Sequence, residues 1–209
     1  MKDVSQYYDS LTMDGRKLAA AFCKFDAAND QDPRKITVDG EEQSHETWYA
    51  RRLTDWVMRL DPDPSESLLL ASRCQHICRW QIPRSNYPEG RAGYLKWREE
   101  LKKFHAEKAE EILREVGYDD ETLAQVRELN LKKNLKNNPD CQTLEDSLCL
   151  IFLIHQFDAL IMSTDEEKMI KIVQKTWAKM SERGQQEALK LSYSSQAKDM
   201  IEKALAAPH

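Results

Sequence analysis

Only six glycines and seven prolines interrupt the 209 residues, and this scarcity of chain breakers constrains the fold more than any other feature. An all-β chain needs a turn roughly every ten residues, whereas long stretches of this chain carry apolar residues three and four apart. We therefore predict an all-α fold, a compact multi-helix bundle. We expect a single helical domain over residues 1–209, with its core at about 13–180 and a helical tail at 181–209. The polar stretch around Gly40 is expected to be a loop.

Capping residues and chain breakers predict where individual helices begin and end. Ser44 is a favourable N-cap for a helix with apolar residues at helical spacing, and Asp63 is expected to cap the next helix. Gly117 is expected to end a long helix as its C-cap. Pro139 opens the most apolar helix, which we expect at the centre of the core.

The distribution of charge points to a small anionic ligand. The formal net charge is −5, which disfavours binding to nucleic acid over a large surface. Residues 73–103, however, carry eight Lys or Arg and three Glu, a local charge of +5, so the remainder carries −10. A basic patch on an acidic protein suits a small anion or a phosphate group. The alternative is that these charges form a solvated helix face.

No membrane partner is expected, because the sequence has no run of 18 apolar residues. No apolar stretch follows the first residues, so we expect no secretory signal. The five cysteines are an odd number, and Cys74 and Cys78 lack a second pair at zinc-ligand spacing. We therefore expect reduced thiols and a cytoplasmic location.

Basic, imidazole and aromatic residues are concentrated in the middle of the chain. Residues 73–80 end an apolar helix, expected to reach about Trp80, with polar side chains that need partners in the protein or in a ligand. A proline-rich loop follows, and one face of the next helix continues the group. Arginine pairs well with phosphate or carboxylate oxygens, and histidine titrates near neutral pH. The candidate ligand-binding residues are Arg79, Trp80, Arg84, Tyr87, Arg91, Tyr94 and Arg98, and the candidate acid/base residues are His76 and His105.

Some of the candidate residues have ordinary structural alternatives. Glu145 and Asp146 lie near the start of the apolar helix, where carboxylates are favoured by the helix dipole. A carboxylate that points inward needs a cation, either an arginine or a metal. On its own, His105 is also typical of a surface or capping histidine. We treat Glu145 as a candidate ligand-binding residue and Asp146 as a candidate catalytic residue.

A set of short strings is distributed over nearly the whole chain: Phe25-Asp26-Ala27-Ala28-Asn29, Gln75-His76-Ile77, Arg79-Trp80, Ile82-Pro83-Arg84, Tyr87-Pro88, Arg91-Ala92-Gly93-Tyr94, His105-Ala106-Glu107, Leu144-Glu145-Asp146 and Lys175-Thr176-Trp177. Together they resemble the family known as domain of unknown function 4202. The strings in the middle of the chain are the most specific. The resemblance implies no established activity.

More distantly, the layout resembles the HD-domain phosphohydrolases, which carry a histidine on one helix, then a His-Asp doublet, and an aspartate on a later core helix. Tyr49 stands at the first position, Gln75-His76 at the doublet and Asp146 at the last. The resemblance implies that His76, His105 and Asp146 are catalytic and that His76 and Asp146 bind a metal. Because Tyr49 and Gln75 are unfavourable ligands, the cofactor stays open: a divalent metal is held differently, or the site binds its anion through arginines.

Three functional hypotheses follow. The first is an HD-like hydrolase acting on a phosphorylated small molecule or a nucleotide. The second is a non-catalytic module that binds a nucleotide, RNA or another anionic ligand, with aromatic residues stacking between the arginines. The third is a structural network in which Arg79 or Arg98 pairs with a carboxylate and no ligand binds; the candidate carboxylates are Glu145, Asp146 and Asp26. The oligomeric state is left open.

Overall fold

The structure, a computed structural model, describes residues 13–133, 135 and 137–206. It is built almost entirely of helices, which confirms the predicted all-α class. The helices are α1 (Met13–Asn29), α2 (His45–Leu60), α3 (Glu66–Cys74), α4 (Gly90–Val116), α5 (Asp120–Leu131), α6 (Pro139–His155), α7 (Phe157–Ser163), α8 (Glu166–Trp177), α9 (Glu182–Leu189) and α10 (Ser195–Ala206). Two short strands are β1 (Lys35–Val38) and β2 (Glu41–Ser44), and 3₁₀ turns cover Arg79–Gln81 and Arg84–Asn86.

Short-range capping explains most of the helix ends. Ser44 accepts a hydrogen bond from an amide in the first turn of α2, as predicted for its N-cap. Gly117 ends α4 with a φ of +91°, which glycine adopts without a steric penalty. At α3 the prediction was wrong. Ser65, and not Asp63, caps this helix, because its hydroxyl accepts a hydrogen bond from the Leu68 amide.

Residues 35–44 form an antiparallel hairpin where the sequence predicted a loop. In this hairpin Lys35 lies opposite Ser44. Asp39 and Gly40 connect the strands with φ values of +53° and +86°, the two positive angles of a type I′ turn. Because the last residue of β2 is also the N-cap of α2, the hairpin fixes the point at which that helix begins.

The helices surround an apolar core that runs from Leu18 in α1 to Ala204 in α10. Residues 67–74 of α3 are all buried, and α3 contacts α1, α2, α5 and α6. α6 contributes the fully buried Leu150 and Ile151, as expected for a central core helix. Among the described residues no single helix has the length and apolarity to cross a membrane; α6 and α7 meet that test only together, with a bend of 62° between them.

α3 ends at Cys74, several residues before the predicted end near Trp80. The chain then turns: the Ile77 amide donates a hydrogen bond to the Cys74 carbonyl at 3.0 Å, and Cys78 adopts a left-handed φ of +52°. Asn29 stabilises this turn, because its Oδ1 accepts a hydrogen bond from the Cys78 amide at 2.9 Å. The polar side chains that follow α3 are thereby brought against the middle of α4.

Candidate functional site

The polar end of α3 and the middle of α4 enclose a hollow that opens to solvent. Its lining residues are Gln75, His76, Arg79, Arg98, Leu101, Lys102, His105 and Lys132. The empty space in and above it is about 250 Å³, but its interior admits only about one water-sized group. The base is formed by buried residues, Gln75, Leu101 and His105. The mouth is formed by half-buried cations, Arg79, Arg98 and Lys102.

Cationic side chains dominate the mouth of the hollow. The Arg79 guanidinium lies over the Trp97 ring, 4.9 Å from its centroid. Burial and the neighbouring Arg98 guanidinium lower the pKa of Arg79, which shows that the two like charges destabilise each other. No carboxylate lines the hollow, and in the described part of the chain no ion pair joins Arg79, Arg98 or Lys102 to an acid. The mouth therefore carries positive charge that no carboxylate pairs with directly in the described residues.

Two of the three carboxylates that the structural hypothesis assigned to these arginines, Asp26 and Glu145, are held by other cations. Asp26 accepts two 2.7 Å hydrogen bonds from Arg73. Glu145 is bound by Lys132 at 2.5 Å, and Lys179 lies 3.6 Å away. Burial opposes the ionisation of Glu145, but the two ammonium groups outweigh burial and lower its pKa. The structural network that the sequence suggested is therefore not formed in the described residues.

Two uncharged imidazoles lie beside these cations. Tyr49 stacks on His76 with 4.8 Å between ring centroids, and His76 lies 5.7 Å from His105. Burial, together with the guanidinium groups of Arg79 and Arg98, lowers the pKa of His105 to about 3. Burial, Arg79 and His105 also hold the pKa of His76 well below its usual range. Both rings are therefore neutral at physiological pH.

The base of the hollow carries two hydrogen-bond acceptors that have no partner in the described part of the chain. The His105 imidazole donates to the Gln75 backbone carbonyl through Nδ1, since Nε2 makes no hydrogen bond. Nε2 of this neutral ring is consequently an acceptor. Gln75 donates its Nε2 to the Asn130 backbone carbonyl at 3.4 Å, and its Oε1 makes no hydrogen bond. A buried acceptor without a partner costs about 1–3 kcal/mol, so both atoms favour a group that donates hydrogen bonds, either a water or part of a ligand.

Asp146, predicted from the sequence to be catalytic, does not line the hollow. Its carboxylate accepts hydrogen bonds from the Ser181 amide at 2.8 Å, from the Ser181 hydroxyl at 2.5 Å and from the Gln142 side chain at 2.9 Å. A Cβ atom on Gly184 would lie 2.6 Å from its Cγ, so the start of α9 packs directly on this carboxylate. Asp146 therefore connects α6 to the start of α9 through these hydrogen bonds. Its catalytic role stays a prediction.

The other predicted ligand-binding residues outside the hollow are Trp80, Arg84, Tyr87, Arg91, Tyr94 and Glu145. Arg84 donates to the Tyr87 backbone carbonyl at 2.8 Å, and the Tyr87 hydroxyl donates to Glu100. These contacts fold the proline-rich loop onto α4. Tyr94 is exposed beside Trp97, with 5.8 Å between ring centroids, so it flanks the mouth from outside. Arg91 is also exposed, on the first turn of α4.

Four lining residues were not among the predicted site residues: Gln75, Leu101, Lys102 and Lys132. Lys102 could have been found, because it follows Arg98 by four residues and precedes His105 by three, on one helix face. Lys132 follows α5 in a left-handed conformation with a φ of +54°. No local signal in the sequence marks that reversal, so its position depends on tertiary packing.

The donor set of the hollow does not fit a divalent metal. Its possible ligands, Gln75, His76 and His105, are all neutral, and four cationic side chains line the same space. Asp146, the anionic ligand that the HD-like layout implied, is bound to α9 instead. A metal in the hollow would face electrostatic repulsion with no carboxylate to offset it.

A separate acidic cluster lies where the hairpin meets α2. Donor atoms of Asp32, His45 and Glu46 lie within 4.8 Å of one another, a spacing that could hold a metal ion. Arg34 already bridges the two carboxylates, at 2.8 Å from Asp32 and 2.5 Å from Glu46. Burial opposes the ionisation of Asp32, but its hydrogen bonds to Arg34 outweigh burial and lower its pKa. The guanidinium therefore supplies the cation that these acids need.

Comparison with known proteins adds a family and no activity. No curated protein and no solved structure matches this chain significantly. The likeness to HD-domain phosphohydrolases therefore stays a prediction from the sequence. The family model described as a domain of unknown function, DUF4202, matches residues 19–201, and the chain belongs to that family.

Proposed function

We propose that the hollow binds the phosphate group of a small phosphorylated or otherwise anionic molecule. One observation carries this proposal: Arg79, Arg98 and Lys102 converge on a single hollow that no carboxylate lines. Guanidinium groups match the oxygens of a phosphate, and charge-assisted hydrogen bonds are among the stronger polar contacts. A bound anion would also relieve the repulsion between the two guanidinium groups, which adds to its affinity.

The size of the hollow limits how much of the ligand enters it. Since the interior admits only about one water-sized group, a phosphate would place one oxygen at the base and leave the others at the mouth. The rest of the ligand would lie outside, where Tyr94 and Trp97 flank Arg79. Aromatic side chains beside a phosphate site favour a ligand with a flat ring, such as a nucleotide.

We propose hydrolysis of a phosphate ester as a second candidate function, supported by the neutral imidazoles beside the cations. In this reaction the phosphate would stay at the mouth and a water would occupy the base, where Nε2 of His105 takes a proton as the water oxygen bonds to phosphorus. The ester P–O bond breaks, the alcohol leaves with a proton from solvent, and the arginines stabilise the charge that develops on the phosphate. A bound anion would raise the pKa of His105 and so improve proton acceptance. Release of phosphate from glycerol phosphate by wild type, and its loss in His105→Gln, would support this function, and no release by wild type would contradict it.

Titration calorimetry with inorganic phosphate tests the binding proposal. Arg98→Gln should weaken binding by about 10- to 100-fold, because it removes charge-assisted hydrogen bonds. Lys102→Ala should weaken binding clearly, while Lys103→Ala should not. Lys103 is the matched control: it is the next residue, but it is exposed and lies 3.7 Å from Glu99. Equal effects of the two lysine variants, or no binding of phosphate to wild type, would contradict the proposal.

A further inference from the structure

The mouth of the hollow offers hydrogen-bond donors, and its base offers hydrogen-bond acceptors. At the mouth, Arg79, Arg98 and Lys102 can only donate hydrogen bonds. At the base, Gln75 Oε1 and His105 Nε2 can only accept them, and both residues are at least 97% buried. A ligand that satisfies both ends must carry anionic oxygens and, beside them, a hydrogen that it can donate.

We infer that the hollow selects anions that bear a hydroxyl hydrogen, so that it binds phosphate in preference to sulfate. This inference rests on the proposed anion-binding function. Both anions are tetrahedral, and at pH 7.5 inorganic phosphate is mostly doubly charged, as sulfate is. Phosphate keeps at least one P–OH group at that pH, whereas sulfate has no hydrogen. The single hydrogen of the phosphate dianion pairs with one of the two buried acceptors, whereas sulfate leaves both unpaired.

The inference also defines the class of natural ligand. A simple phosphate monoester loses its last P–OH hydrogen with a pKa near 6, so at pH 7.5 its phosphate group can no longer donate. It would then resemble sulfate at the base of the hollow. A phosphorylated sugar or polyol keeps hydroxyl groups next to the phosphate and can donate one of them. Free phosphate and phosphorylated polyols are therefore the expected ligands.

The expected discrimination can be given as a ratio of affinities. Sites built to bind a hydroxyl reject an analogue that lacks it, because their own buried polar groups are left unpaired. One unpaired buried acceptor corresponds to roughly a tenfold to hundredfold loss of affinity. Wild type should therefore bind phosphate about 10- to 100-fold more tightly than sulfate at pH 7.5 and constant ionic strength.

The decisive experiment is a pair of calorimetric titrations with inorganic phosphate and sodium sulfate, repeated on His105→Leu and Gln75→Leu. Removing the acceptor that receives the hydrogen should bring the phosphate-to-sulfate ratio toward one, so at least one of the two variants should show the drop. Each variant is first checked for a cooperative melting transition. Methyl phosphate and glycerol phosphate at pH 7.5 then separate the ligand classes, since only the second carries hydroxyl groups, and it should bind at least tenfold more tightly.

A measurement on wild type alone keeps the inference falsifiable if both variants fail to fold. Sulfate can pair with the base only if His105 takes up a proton, because a protonated imidazole donates from both nitrogens. That protonation is unfavourable between pH 6 and 8, because the pKa of His105 is about 3, so sulfate binds with the acceptors unpaired. The affinity for sulfate should therefore stay nearly constant over this range at constant ionic strength, and phosphate should bind more tightly than sulfate at pH 8. The ionisable groups around His105 are His76, Arg79, Arg98, Lys102, Lys132 and, through Lys132, Glu145. The only other imidazole among these groups is that of His76. Its pKa is held well below the usual range, so its titration adds no pH dependence of anion binding between pH 6 and 8.

The outcomes separate the inference from the function on which it rests. Equal affinity for phosphate and sulfate in wild type, with the same dependence on pH, would overturn the selectivity and leave the anion site intact. A failure of wild type to bind either anion would overturn the proposed function and the inference with it. A ratio above ten that drops in either leucine variant would support both.

Discussion

Replacing His105 by glutamine tests whether the fold itself keeps this imidazole uncharged. The side chain is 2% exposed, and its pKa falls from the ordinary 6.5 to about 3 in the folded protein. As the pH falls below 6.5, the unfolded chain therefore takes up a proton at His105 that the folded chain refuses. The sign follows from linkage: the stability that depends on neutral His105 is fully present above pH 6.5 and is lost progressively toward pH 3.

The size of this loss can be estimated from the shift. Each unit of pH below 6.5 destabilises the fold by about 1.36 kcal/mol through His105, so the loss between pH 7 and pH 5 is about 2 kcal/mol. The pKa of His76 is shifted in the same direction and adds to the loss in wild type. His105→Gln keeps a side chain that can donate and accept hydrogen bonds but cannot titrate. The variant should therefore lose about 2 kcal/mol less than wild type between these two pH values.

Urea unfolding followed by circular dichroism at pH 7 and pH 5 measures the difference directly. Phe104→Leu is the control, because Phe104 packs against His105 with 5.9 Å between ring centroids and does not titrate. The control should lower the free energy of unfolding at both pH values and keep the pH dependence of wild type. If the free energy of unfolding fell equally in His105→Gln and wild type between pH 7 and pH 5, the claim that the fold keeps His105 uncharged would be refuted.

Two further predictions concern the carboxylates that lie away from the hollow. Asp146→Ala should lower the free energy of unfolding in urea by about 2–4 kcal/mol, because it removes the hydrogen bonds to Ser181. The same variant should leave the affinity for phosphate unchanged. A large loss of affinity would instead support the catalytic or metal-binding role predicted from the sequence. Arg73→Ala should lower the free energy of unfolding by about 3 kcal/mol or more, because it leaves the largely buried Asp26 carboxylate without its main partner. Arg51→Ala removes an exposed cation from the same carboxylate and should lower it by less than about 1 kcal/mol in the same assay.

Elements whose signals are local could be predicted from the sequence. The side chain of Ser44 is enough to cap the start of α2, and the positive φ that Gly117 adopts is enough to end α4. The hairpin was missed although Asp39-Gly40 is a strong turn signal. Its strands carry few apolar residues and lie in a chain whose other patterns are helical, so the sequence pattern predicts a loop there.

Features that depend on distant parts of the chain could not be predicted. α3 stops at Cys74 because Asn29, far away in sequence, binds the Cys78 amide and stabilises its left-handed conformation. The periodicity of residues 66–80 continues past this point and so predicted a longer helix. Asp146 is similar: the sequence places it on a core helix, but only the fold brings Ser181 to it.

The residues that line the hollow follow from the sequence where one helix carries them, and do not where several elements meet. The i, i+3 and i+4 steps correctly placed Arg98 and His105 on one face of α4. The same steps also included Arg91, two turns earlier, where α4 lies outside the wall of the hollow. A helical period states which residues share a face. It does not predict which part of that face is packed against other elements and forms the wall of the hollow.

The cations at the mouth and the acceptors at the base of the hollow depend on each other. The guanidinium groups of Arg79 and Arg98 help to keep His105 neutral, and only a neutral His105 can accept a hydrogen bond at Nε2. Removing one guanidinium would thus do more than weaken attraction for an anion. It would raise the pKa of His105 and bring its protonated form, which donates from both nitrogens, closer to neutral pH. A site that has lost Arg79 should therefore bind anions more weakly and also discriminate less between phosphate and sulfate, because the same charges that attract the ligand also maintain the acceptor that recognises its hydrogen.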